Sequence, residues 1–115
     1  MPSQPVTFLV SLHVAEGRLD EFIGALERVL DAMRHEPTFI NAVLHRSPED
    51  PHRLMLYETW ADLDDVRDVQ LKREYREDYH ARLADLLRAP REVTIWTPVR
   101  ADFTHFACRS DVCAA

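Results

Sequence analysis

No stretch of this chain approaches the roughly 18 consecutive apolar residues of a membrane-spanning helix. Its opening residues, MPSQP, carry neither the charged nor the apolar part of a secretory leader, which points to the cytosol. Basic residues are outnumbered, 14 Lys and Arg against 20 Asp and Glu, and the formal net charge of −6 argues against a nucleic-acid partner, because phosphate binding needs a basic face. Glycine is scarce, and neither G-x-G-x-x-G nor G-x-x-x-x-G-K-[ST] occurs; H-E-x-x-H is also missing, so no nucleotide, flavin or zinc-protease signature is present. The only cysteines are Cys108 and Cys113. Their C-x4-C spacing could close a disulfide or bind a metal with outside help. Two thiols cannot complete a four-ligand zinc site, however, and cytosolic thiols are usually reduced. They are expected to be inert residues of a partly disordered tail.

What remains has the balance of an ordinary globular protein: 115 residues, 46% hydrophobic and 30% charged. That length suits one domain with a core that needs no staple. From residue 5 to 14, PVTFLVSLHV alternates as a strand, with Val6, Phe8, Val10, Leu12 and Val14 on one apolar face. From Arg18 to about His35 the period becomes helical, with Leu19, Phe22, Ile23, Leu26, Val29, Leu30 and Met33 forming a stripe. Asp20 and Glu21 at its start and Arg34 and His35 at its end suit the helix dipole, and Pro37 bars continuation. FINAVLHRS (39–47) and RLMLYETW (53–60) flank a proline-rich turn and read as an antiparallel hairpin. On the second of these strands Leu54, Leu56, Glu58 and Trp60 share a face, and Met55, Tyr57 and Thr59 share the other. A charged helical stretch follows from Asp62 to about Leu87, with a bend suggested near QLKREY because its stripe changes phase. REVTIWTP (91–98) is the fourth strand.

The order β-α-β-β-α-β predicts an α+β, ferredoxin-like fold over residues 5–98, a four-stranded antiparallel sheet with two helices on one face, followed by a tail from 99 to 115. Such a monomer leaves its second sheet face bare. That face would carry Leu9 or Val10, Met55 or Leu56, Tyr57 and Trp96, depending on register. An apolar area of that kind is larger than soluble monomers usually tolerate, so the chain is expected to be a homodimer with two sheets packed face to face. The tail is expected to lie on a neighbour through Phe103 and Phe106 or to be loose.

Two segments carry a family likeness. VTFLVSLHVAEGRLDEFIGALERVLDAMRHEPTF and LHRSPEDPHRLMLYETWAD resemble the antibiotic biosynthesis monooxygenase family of dimeric α/β barrels, the second ending in the acidic residue, spacer and tryptophan Glu58, Thr59 and Trp60. The resemblance implies a cofactor-independent oxygenase whose partners are O2 and a small electron-rich molecule such as a quinol, bound between sheet and helices. It implies no metal and no cofactor. Three positions depart from the family's pattern. Thr38 stands where a glycine is usual. Leu56 stands where members acting on aromatic polyketides have an asparagine, and Val10 where the haem-degrading members have one. Haem degradation is therefore not expected.

Within that reading the candidate catalytic residues are Glu58, Trp60 and His80, with His45, Tyr75 and Tyr79 as candidate substrate-binding residues. A carboxylate on an apolar face needs a partner; Glu58 either orients a ligand or pairs with an arginine at a sheet edge. Trp60 either walls a pocket or anchors the core. His80 has the ordinary pKa range of a base or proton relay, or is a solvated helix-edge histidine. His45 and Arg46 are neighbours on a strand, so one of them should look inward. Tyr75 and Tyr79 lie one turn apart and are core residues or hydrogen-bond partners of a quinone oxygen. Two other functions fit the pattern. An isomerase of a small phosphorylated carbonyl compound, resembling a second branch of the family, would need Arg34, Arg46, Arg53 or Arg91 to converge. A non-enzymatic dimeric binding or stress protein would have its pocket filled by side chains.

Overall fold

In the computed structural model, which describes residues 4–103, the alternating segments form strands and the stripes form helices. The elements run β1 (Val6–His13), α1 (Leu19–Met33), β2 (Phe39–Arg46), β3 (Arg53–Trp60), α2 (Leu63–Asp68), α3 (Glu77–Leu86) and β4 (Glu92–Trp96). The strands make one antiparallel sheet in the order β2-β3-β1-β4, the ferredoxin-like α+β arrangement. Gly17, at φ +78°, makes the turn into α1 in a backbone region that other residues resist. No helix among the described residues is long and apolar enough to cross a membrane. Cys108, Cys113 and Phe106 lie outside the described residues.

Register decides which side chains share a face. Val10 pairs with Leu56 and Val93, and Phe8 with Glu58 and Ile95, so these residues all point toward the helices. There Val10, Leu12, Leu54, Leu56 and Trp60 meet Phe22, Leu26, Val29 and Met33 of α1 in one buried cluster. The opposite face carries Leu9, Met55, Tyr57 and Trp96, which resolves the alternatives left open by the sequence. Trp96 there is 56% exposed, and Val43 of β2 is also exposed. This face is bare in the single chain.

The second helical stretch differs from expectation. In place of one bent helix, α2 and α3 are separated by two single 3₁₀ turns, Gln70–Lys72 and Glu74–Arg76, with Arg73 extended between them. Tertiary hydrogen bonds hold this break. The Asp65 carboxylate accepts from Thr38 Oγ1 at 2.7 Å and from Gln70 Nε2 at 3.0 Å, and Gln70 is buried. Both bonds hold the Asp65 carboxyl below the usual carboxylate range, the one from Thr38 most strongly. Arg73 Nε donates to Glu36 Oε2 at 2.9 Å from the other side. Thr38, the position that departs from the family's glycine, is thus the link between the α1–β2 turn and the broken helix. Two boundaries also moved. Arg34 and His35 lie just past the end of α1, and β4 stops at Trp96, two residues before Pro98.

Candidate active site

The sheet places Glu58 in its interior. On β3 it stands between Phe8 of β1 and Ala42 of β2, facing the helices, where a carboxylate loses most of its water. Two residues along the strand, and so on the same face, Trp60 donates from Nε1 to Glu58 Oε1 at 3.2 Å. Trp60 is completely buried, with Phe39 edge-on at 5.4 Å. It is not among the residues lining the cavity, so of the two alternatives left by the sequence the packing favours the core anchor over the pocket wall, with Nε1 on one carboxylate oxygen of Glu58.

A cavity of about 280 Å³ opens between sheet and helices. Phe8, Val10, Leu26, Val29 and Leu56 form its apolar walls; Glu58, Arg76, Tyr79, His80 and Arg91 supply its polar groups. Its rim, with Leu71, Val93 and Ile95, lies between the broken stretch after α2 and the edge strand β4, and all three of these apolar residues are exposed. The break in the second helix therefore lies at the cavity's rim.

Burial raises the Glu58 carboxyl above its ordinary pKa, against the hydrogen bond from Trp60 and the charges of Arg76 and Arg91, which pull it down. His80 moves the opposite way. Burial first, then the charges of Arg91 and Arg76, lower its pKa below the usual histidine value and favour the neutral ring. Tyr79, beside His80 with ring centroids 5.6 Å apart, is pushed up to about 12 by burial, so its phenol stays protonated. The cavity thus contains a carboxyl biased toward its protonated form and an imidazole biased toward its neutral form, the complementary pair that acid–base chemistry uses.

The remaining sequence candidates separate. His45 pairs with Met55 on the face away from the helices, and lines a different groove with His13 and Arg53; the inward register falls to Arg46. Tyr75 is not part of the cavity wall. Its ring lies against the Arg76 guanidinium at 5.6 Å, and its buried hydroxyl has no partner at hydrogen-bonding geometry among the described residues. Sequence reasoning missed Arg76. The signal was its spacing of four residues from His80, which sets both on one helical face. The arginines that a phosphate site would require do not converge: Arg46 and Arg53 line one groove, Arg91 the cavity, and Arg34 a third surface.

Comparison with known proteins matches residues 5–68 to the family model described as "Antibiotic biosynthesis monooxygenase". The chain belongs to the antibiotic biosynthesis monooxygenase family. A protein of Pestalotiopsis microspora named "putative monooxygenase" is 31% identical over 97 residues, covering 84% of this chain and 81% of that protein. Among solved structures the fold matches a "putative antibiotic biosynthesis monooxygenase" from Nitrosomonas europaea with a TM-score of 0.78 at 19% identity, over 86% of this chain and 94% of the other. It also matches SnoaB, a cofactor-independent oxygenase from Streptomyces nogalater, with a TM-score of 0.74 at 21% identity, over 86% and 97%. Within this family frame, the two positions where the resemblance points to asparagine, Leu56 and Val10, both line the cavity as hydrocarbon. The polar groups available to a ligand here are Glu58, Arg76, Tyr79, His80 and Arg91.

Proposed function

We propose that the protein is a cofactor-independent monooxygenase that oxidises a quinol-like or other electron-rich small molecule in the cavity between its sheet and helices. The observation that carries this reading is the pairing of Glu58 with His80 in one apolar cavity. A neutral imidazole takes a proton from a phenol or enol, and the resulting anion is electron-rich enough to pass one electron to O2. Recombination of the substrate radical with superoxide forms a carbon–oxygen bond. Loss of water from the hydroperoxide then leaves a carbonyl: a CH2 and O2 become C=O and H2O, with O2 as the whole oxidant. Glu58, biased toward its protonated form, donates to the oxygen that leaves. Trp60 positions Glu58, and Tyr79 presents a protonated phenol to the substrate's oxygen. Apolar walls suit this chemistry because they exclude water from the anion.

The cavity is open space, which favours this reading over a binding protein filled by its own side chains. The dispersal of Arg34, Arg46, Arg53 and Arg91 removes support for a phosphorylated substrate. A homodimer completes the proposal, with Leu9, Tyr57, Val43 and Trp96 of two copies packed face to face. Oxygen uptake measured with a panel of quinols and anthrones tests the activity. Uptake by the wild-type protein that His80→Gln abolishes supports it; no uptake above the uncatalysed rate for any member of the panel refutes it. Sedimentation of the wild-type chain and of Trp96→Arg tests the dimer.

A further inference from the structure

Arg76 is a buried cation with no partner that accounts for it. It is 7% exposed, and it belongs to none of the ion pairs among the described residues. Its Nε has no acceptor. Two rings lie against it, Trp60 with its centroid 5.7 Å from the guanidinium carbon and Tyr75 at 5.6 Å, and the one carboxyl that feels its charge within the cavity, Glu58, is outside ion-pair distance. Stacking on rings satisfies the charge in part but none of the five N–H donors, which lie in the plane of the guanidinium. A buried arginine left in this state costs stability unless something binds it.

Arg91, half-buried just before β4, lines the same cavity and makes no ion pair among the described residues. The third arginine of the wall, Arg67, is paired with Asp64. The cavity therefore holds two unpaired cations against one carboxyl, Glu58, in a chain whose net charge is −6. A neutral quinol would leave both cations without an anion.

We propose that the substrate of this cavity carries a carboxylate on its apolar ring system, received by Arg76 with Arg91 completing the pair, while the ring lies against Phe8, Val10 and Leu56. This deepens the oxygenase reading and rests on its assignment of the cavity as the substrate site. A carboxylate suits the donors better than a phosphate. A guanidinium whose near neighbours are rings still has its planar edge to offer, which matches two coplanar oxygens. Because the ring system need not ionise to be held, the acid's position is set before any proton is removed from its phenol.

The test is calorimetric titration of the full chain with 3-hydroxy-2-naphthoate, its methyl ester and 2-naphthol. The acid is expected to bind roughly tenfold or more tightly than the ester or the naphthol, the value of one charge-assisted contact. Arg91→Gln should shrink that preference. Arg76→Gln should abolish it, and Arg76→Lys, which keeps the charge but loses the fork, should retain part of it if the glutamine variant does not fold. Equal affinities for acid and ester in the wild type, or a preference that Arg91→Gln, Arg76→Gln and Arg76→Lys all leave undiminished, overturns the proposal. Oxygen uptake separates this outcome from the failure of the oxygenase reading. Preference for the acid without turnover of any quinol sinks the oxygenase and leaves the carboxylate site standing. Turnover of a neutral quinol that acid and ester inhibit equally does the reverse.

Discussion

Replacing Trp60 by phenylalanine removes one hydrogen bond and about a third of a buried ring system while keeping an aromatic at the site. Three interactions change. The bond from Nε1 to Glu58 Oε1, 3.2 Å long and in a dry setting, is lost, at about 1–2 kcal/mol. Phenylalanine is a weaker platform than indole for the Arg76 guanidinium, a difference of roughly 0.5 kcal/mol. The volume that the smaller ring leaves unfilled, in a position with no exposure at all, costs about 1–2 kcal/mol more. Together these predict a loss of about 3 kcal/mol, or roughly 12–20 °C in the thermal midpoint of a domain this size. A second effect is specific to the site. The Trp60 bond opposes the rise of the Glu58 pKa, so the Glu58 carboxyl of the variant should titrate at higher pH than in the wild type. Thermal unfolding followed by circular dichroism measures the first effect, and carbon-detected NMR titration of the Glu58 carboxyl the second. A variant that melts within about 4 °C of the wild type, a loss under roughly 1 kcal/mol, would refute the role of Trp60 as an anchor. An unshifted Glu58 titration would refute its role as the holder of that carboxyl.

In Glu58→Gln the titration itself disappears. Because burial raises the Glu58 pKa above its unfolded value, the wild type has its full stability below the unfolded pKa and loses some as pH rises through the folded one; the stability of the variant relative to wild type should therefore improve in urea melts as pH rises above the ordinary carboxylate range. Thr38→Ala removes the shortest bond to Asp65, with an expected loss of about 1 kcal/mol at neutral pH. Asp65 has a depressed pKa, so its contribution is present above the unfolded pKa and lost as pH falls through the folded one; variant and wild type should converge in acid denaturation. Against an oxidisable quinol, His80→Gln should lower kcat by roughly 10²–10⁴-fold with little change in KM. The acid limb of the wild-type rate profile should fall below the ordinary histidine range, because burial and the neighbouring arginines lower the His80 pKa. A limb at or above ~6.5 would count against His80 as the base.

The strands and α1 were legible because their patterns are local and repeated: four even positions of β1 and seven positions of the α1 stripe each describe one face. The dyad of Glu58 and Trp60 was legible from their spacing of two on a strand, which sets both on one face. What Trp60 does there was not, since burial on all sides depends on Phe39 and Arg76, far apart in sequence. The irregularity after α2 was legible as a bend from the change of phase in the stripe, but that it is a full break was not, for the same reason. QLKREY contains nothing that forbids a helix, and the bonds that stop it come from Thr38 and Glu36 in another turn. His45 was undecidable between two faces until register placed it opposite Met55. Arg76 escaped because an arginine in a charged helix ordinarily reads as a solvated residue, and only its burial against Trp60 and Tyr75 shows otherwise.

The irregularity at the start of β2 has a consequence for how the molecule keeps company. Pairing passes from Phe39 opposite Trp60 directly to Asn41 opposite Thr59, leaving Ile40 as an extra, exposed residue. Because β2 is an edge strand, its outer hydrogen-bonding groups are open to any extended chain that arrives. A kink there spoils the straight run of donors and acceptors that a foreign strand would need, and does so where the edge is most apolar. Sheet growth through that rim is discouraged by a single inserted isoleucine, and Phe39 remains seated on Trp60. Deleting Ile40 would straighten the rim and open it to fibril-like self-association at concentrations the natural chain withstands.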